Sequence, residues 1–109
     1  MIDVEQVMKD WLELNHRRLE EFGMAAVLTL GSQERTPRSA WIDFETSGVM
    51  GRIIAWERGD TEVQLVNIRT GEVRRPVYRE LQTPSELDEI LTLTMRAISV
   101  ADLPSGPTT

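Results

Sequence analysis

Apolar residues recur at Val4, Val7, Met8, Trp11, Leu12, Leu19 and Phe22, which is one stripe of a helix, while Glu5, Lys9, Glu13, Arg17, Glu20 and Glu21 fill the other side. Asp3 stands where an N-cap belongs, and Gln6 three residues on completes a capping-box pattern. Gly23 follows as a helix stop. This pattern predicts a helix over about 4–22.

Beyond Gly23 the period shortens. Met24 to Leu30 is a continuous apolar run between two glycines, which predicts a buried central strand. Gly31 to Pro37 is a polar loop. From Ser39 to Thr46 the chain alternates, with Ala40, Ile42 and Phe44 on one face and Trp41, Asp43 and Glu45 on the other. Ser47-Gly48 turns into a strand from Val49 to Trp56, where Val49, Gly51, Ile53 and Ala55 oppose Met50, Arg52, Ile54 and Trp56. After the charged turn Glu57-Arg58-Gly59-Asp60, a fourth strand spans Thr61 to Arg69. Its apolar set shifts from Val63 and Leu65 to Val66 and Ile68, the mark of a bulge or of burial on both faces. Val73 to Leu81 reads as a fifth strand, and Pro76 assigns it to an edge because proline cannot donate to a ladder. Thr83-Pro84-Ser85-Glu86 opens a second helix, with Leu87, Ile90, Leu91, Thr94, Met95 and Ile98 inward.

The expected architecture is therefore α+β, a two-layer sandwich. A five-stranded antiparallel meander sheet carries the N-terminal and C-terminal helices on one face, and its other face lies open. The helical pattern fails near Ser99, so the expected domain covers 1–99 and the expected flexible tail 100–109. A length of 109 residues fits one domain with a single core and leaves little room for a deep substrate cavity.

Composition narrows the function classes. The chain has no cysteine, which excludes disulfides and thiolate metal sites and suits a reducing compartment. Its longest apolar run is far too short to cross a bilayer, and the acidic start is unlike a signal peptide, so a cytoplasmic protein is expected. The net charge of −6 disfavours nucleic acid and anionic membranes and favours a basic protein partner. The basic residues are eleven arginines and one lysine, Lys9. Arginine is enriched at interfaces, although a GC-rich genome gives the same bias.

No catalytic set can be assembled. His16 is the sole histidine, with no second ligand at helical spacing. Asp43 and Glu45 share a strand face about 7 Å apart, close to glycosidase-like separation, but nothing else suggests a sugar cleft. There is no phosphate-binding glycine motif and no nucleophile elbow. The expectation is a protein without enzymatic activity or cofactor. Trp11 belongs to the helix stripe and is expected in the core. Trp41 and Trp56 fall on strand faces that also bear charge, as interface anchors do. Alternation turns Trp41 outward and leaves burial and exposure of Trp56 both open. The expected partner-binding residues are Trp41, Asp43, Glu45, Arg52, Trp56, Glu57 and Asp60.

The run Gly51-Arg52-Ile53-Ile54-Ala55-Trp56-Glu57-Arg58-Gly59, followed by Val63-Gln64-Leu65, Thr70-Gly71-Glu72, Leu81 and Ser85-Glu86-Leu87, resembles the TriTu family of bacterial immunity proteins. The resemblance covers roughly residues 40–98, and the N-terminal helix carries no motif of its own. It implies a small cytoplasmic protein encoded beside an Rhs-type toxin delivered by type VI secretion. It further implies that the toxin is an ADP-ribosyltransferase acting on elongation factor Tu. Such an immunity protein would bind the toxin domain and block its active site, and because one sheet uses up the apolar stripes of both helices, a monomer forming a one-to-one complex is expected. It defines no catalytic residues. A second class fits the same fold: a secretion or effector chaperone, which would be a homodimer holding a client segment. Oligomeric state and the neighbouring gene distinguish the two.

Overall fold

A computed structural model describes residues 1–101. Helix α1 spans Val4–Glu21 and starts on Asp3, whose side chain accepts from the Gln6 N–H at 3.1 Å. Only this half of the capping box forms, and the Gln6 side-chain amide donates to Asp10 Oδ1. The helix ends in a Schellman arrangement: Gly23, at φ 63°, donates to the Glu20 carbonyl and Met24 to the Leu19 carbonyl. Met24 and Leu19, both buried, supply the apolar contact typical of that cap.

The strands are β1 (Ala25–Leu30), β2 (Ser39–Glu45), β3 (Val49–Trp56), β4 (Asp60–Asn67) and β5 (Val77–Glu80), in the order β1-β2-β3-β4-β5, all antiparallel. Helix α2 (Pro84–Ala101) completes the expected α+β architecture. At its start Glu86 N–H donates to Thr83 Oγ1, and the Glu86 carboxylate accepts from the Gln82 N–H, both at 3.2 Å. The helix includes residues 100 and 101, two beyond the expected boundary at 99, and the rest of the expected tail lies outside the described residues.

The core lies between the helices and one sheet face. Ala40, Ile42, Phe44, Val49, Ile53 and Ala55 meet Met8 and Trp11 of α1 and Leu87, Leu91, Met95 and Ile98 of α2. Trp11 stands edge-on to Phe44 with ring centres 5.8 Å apart, and its Nε1 donates to Thr92 Oγ1 at 3.0 Å, joining the two helices. The helices cover β1 to β3 more fully than β4 and β5. Between α2 and the far strands a hollow of about 330 Å³ remains, lined by Val63, Leu65, Val77, Ile90 and Leu93.

Two strand expectations need correction. β1 is an edge strand, not a central one, and its Val27 is 60% exposed. A meander places its first strand at an edge whatever its apolarity, so topology overrides the composition of the run. β5 is shorter than Val73–Leu81: Val73 makes only an isolated bridge to Val66. Val63 pairs with Val77 and Val66 with Val73, so the β5 side holds one extra residue and bulges around Pro76. β4 keeps an unbroken register with β3, so no bulge lies between them, and its Val66 stands beside Met50 on the face away from the helices.

Gly59 closes the turn between β3 and β4 at φ 108°, and a Cβ there would lie 2.1 Å from the Leu81 carbonyl oxygen. Its carbonyl accepts from the Leu81 N–H at 2.8 Å, so the two backbones must approach this closely. Gly59→Ala is expected to cost at least about 1–3 kcal/mol from the strained backbone alone. Urea unfolding checks this by a lower midpoint at an unchanged slope.

Candidate protein interface

The face of the sheet away from the helices is built by strand alternation. In register across it run Val27, Asp43, Arg52 and Gln64; then Thr29, Trp41, Ile54, Glu62 and Tyr78; then Ala25, Glu45, Met50 and Val66. Both helices pack on the opposite side, against Ile42, Phe44 and Ile53, so no element of the described chain covers this face.

Trp41, Asp43, Glu45, Arg52 and Trp56 are brought together here, with Asp60 at the end of β4 on the same face. Trp56, for which burial and exposure were both open, is half-buried on this face, as is Trp41. Glu57 does not join them. It sits in the turn, where its carbonyl accepts from the Ile2 N–H at 2.8 Å and its own N–H donates to the Arg38 carbonyl at 2.9 Å. It lines a separate hollow of about 300 Å³ with Ile2, Asp3 and Arg38. The N-terminal segment docks on this turn, and sequence periodicity carries no signal of that.

Arg52 organises the centre of the face. Its Nε donates to Asp43 Oδ1 at 2.5 Å and its NH2 group to Oδ2 at 3.2 Å, a bidentate pair between neighbouring strands. The guanidinium carbon lies 5.8 Å from the centre of the Trp41 ring, within cation–π range. The hydrogen bond to Asp43 raises the Arg52 pKa above its ordinary value, against a smaller effect of burial. Both partners remain substantially exposed, so the pair contributes under about 1 kcal/mol to folding. Its effect is orientation: a planar aromatic, a fixed cation and a carboxylate are held in one cluster.

Glu45, Asp60, Glu62 and Glu80 have no hydrogen-bonding or ionic partner for their carboxylates among the described residues. Asp43 and Glu45 are thus unlike: one is held by a guanidinium and the other has no such partner among the described residues. His16 is exposed on α1 and lies 3.0 Å from Glu20. Met50, Ile54, Glu62, Gln64, Val66 and Tyr78 also belong to the face, beyond the residues expected from the sequence. Alternation along β3 already turned Met50 and Ile54 this way. Tyr78 follows only from the β4–β5 register, which the bulge shifts.

Among the described residues no helix is long and apolar enough to cross a membrane. No curated protein matches the chain. The family described as immunity protein TriTu matches residues 6–96, which takes in α1 as well as the stretch from residue 40. Its motif glycines have evident work in this fold: a Cβ on Gly51 would press on Ile98 and Leu65, and one on Gly59 would strike the Leu81 backbone. With the match covering most of its 109 residues, the chain belongs to the TriTu immunity protein family.

Proposed function

We propose that this protein binds a cognate antibacterial ADP-ribosyltransferase toxin domain one to one, through the open face of its sheet, and blocks the toxin's active site. The resemblance to the family supplies the toxin class, with an Rhs-type toxin of type VI secretion and elongation factor Tu as its target. The site of action would be the cytoplasm. The observation that supports the binding surface is the uncovered face, where two half-buried tryptophans share the sheet with the Asp43–Arg52 pair and with carboxylates, such as Glu45, that lack partners among the described residues. Aromatic anchors ringed by polar groups are how binding hot spots are composed. A toxin that binds the pyrophosphate of NAD needs basic residues there, and those residues would accept carboxylates such as Glu45. Family membership supports this reading over a client-holding chaperone.

The test is to mix the purified protein with the toxin domain encoded beside its gene. The expected result is a complex of one copy of each, loss of NAD turnover and a monomer in the absence of toxin. A stable homodimer that leaves NAD turnover intact would overturn the reading. Charge adds a kinetic expectation. With a net charge of −6, association with a basic toxin should slow as ionic strength rises. Between about 0.01 M and 0.15 M salt the screening length falls from about 30 to 8 Å. Stopped-flow measurement over this range should show the association rate falling while dissociation changes less.

A further inference from the structure

The two edges of the sheet are built differently. β5 is four residues long, carries Arg79 and Glu80, and is preceded by a bulge around Pro76. Charge, shortness, proline and bulging are the devices that stop a sheet from adding strands. β1 has none of them: its six residues, Ala-Ala-Val-Leu-Thr-Leu, include no charge and no proline.

The backbone groups that β1 presents can be identified. Gly31 N–H donates to the Ser39 carbonyl at 2.9 Å, and the β1–β2 register continues that pairing without a break from Ala25↔Glu45 to Leu30↔Ala40. Antiparallel pairs alternate, so Ala25, Val27 and Thr29 direct their N–H and C=O groups to β2. Those of Ala26, Leu28 and Leu30 point away from the sheet, where no other strand pairs with them among the described residues.

Side chains on the open face indicate which strand would fit. Val27 is an exposed apolar platform. Ala25 lies between the edge and Glu45, its register partner on β2. With strands about 4.8 Å apart, a residue facing Ala25 on an added strand would stand about 10 Å from Glu45. A lysine or arginine and a glutamate span that distance together, and the methyl group of Ala25 leaves the path clear.

We infer that β1 is a strand-addition edge, and that its occupant is an extended segment of the cognate toxin with a basic side chain opposite Ala25, reaching Glu45. This rests on the proposed toxin binding and deepens it, because the edge is continuous with the open face. A second copy of this chain is the poorer occupant, since each copy carries −6 and offers no basic residue on its own β1.

Amide exchange read residue by residue by NMR tests this, on the free protein and on its complex with the toxin domain encoded beside it. In the free protein the amides of Ala26, Leu28 and Leu30 should exchange faster than those of Val27 and Thr29. In the saturated complex the three fast amides should become protected, giving a period-two pattern along one strand. Ala26→Pro removes one outward N–H without removing a ladder bond, and should weaken toxin binding at least about fivefold, the worth of one hydrogen bond. Melting would show whether it folds, and the exchange pattern does not depend on it. A saturated complex in which the three amides stay fast overturns the inference and leaves toxin binding standing. Protection already present in the toxin-free protein, with a dimer mass, assigns the edge to a second copy and overturns it too. Absence of any complex overturns the function and the inference together.

Discussion

Trp11→Ala is expected to remove about 3–5 kcal/mol of stability, the range for truncating a fully buried large aromatic. Trp11 is 1% exposed and stands between the sheet and the second helix. Its ring meets that of Phe44 at a near-perpendicular angle, and its Nε1 donates to Thr92 on α2. Truncation therefore opens a cavity at the junction of three elements and leaves the Thr92 hydroxyl without that donor. Domains of this size hold about 5–15 kcal/mol in all, so the variant would be marginal. Trp11→Phe separates the contributions, keeping the aromatic contact and losing the donor and part of the volume, with a smaller loss expected. Chemical denaturation of both variants checks the ordering. Equal stability of Trp11→Ala and the parent would mean that the junction is not where the fold holds together.

Both helices, the β2–β3 hairpin and the outward direction of Trp41, Asp43 and Glu45 were legible in the sequence because each is set by local periodicity and capping. Asp3, Gly23, Thr83 and Glu86 mark ends, and the alternation of β2 and β3 leaves only one way to bury Ile42, Phe44 and Ile53. The position of β1 was misread because an apolar run signals burial without saying which neighbours supply it. In this sheet α1 covers Ala26 and Leu28 from one side, while Val27 stays bare. The site was legible wherever it depends on alternation within a strand. It was not legible where it depends on pairing between strands: the Asp43–Arg52 bridge joins residues nine apart, and Tyr78 reaches the row of Trp41 only through a register set by the bulge near Pro76. Glu57 is expected with the strand residues as part of the turn after β3, but the docking of Ile2 on its carbonyl holds it apart from the face.

Under the proposed binding mode that geometry makes the residues of the open face unequal, and alanine variants should rank them. Trp41→Ala is expected to cost at least about 2 kcal/mol of toxin affinity, as a central aromatic anchor does. It also removes the surface on which the Arg52 guanidinium rests. Glu45→Ala should cost about 2–5 kcal/mol if its free carboxylate is desolvated against a toxin cation, whereas a rim charge would lose under about 1. Asp43→Ala acts differently. Its carboxylate is already neutralised by Arg52, so the change releases a cation into the face proposed to meet a basic partner. A loss comparable to that of Glu45→Ala is therefore expected for Asp43→Ala, and simultaneous Arg52→Ala should restore part of it. An electrostatic origin predicts that restoration, while a purely steric one does not. Trp56 stands at the end of the face, and Trp56→Ala should weaken binding less than Trp41→Ala. Calorimetric titration with the toxin domain, protection of cells expressing the toxin and thermal melting of each variant give the readouts. If Trp41, Asp43, Glu45 and Trp56 can each be replaced with folding, affinity and protection all unchanged, the open face is not the interface. The toxin would then have to be held by the helices or by the loop at residues 31–37.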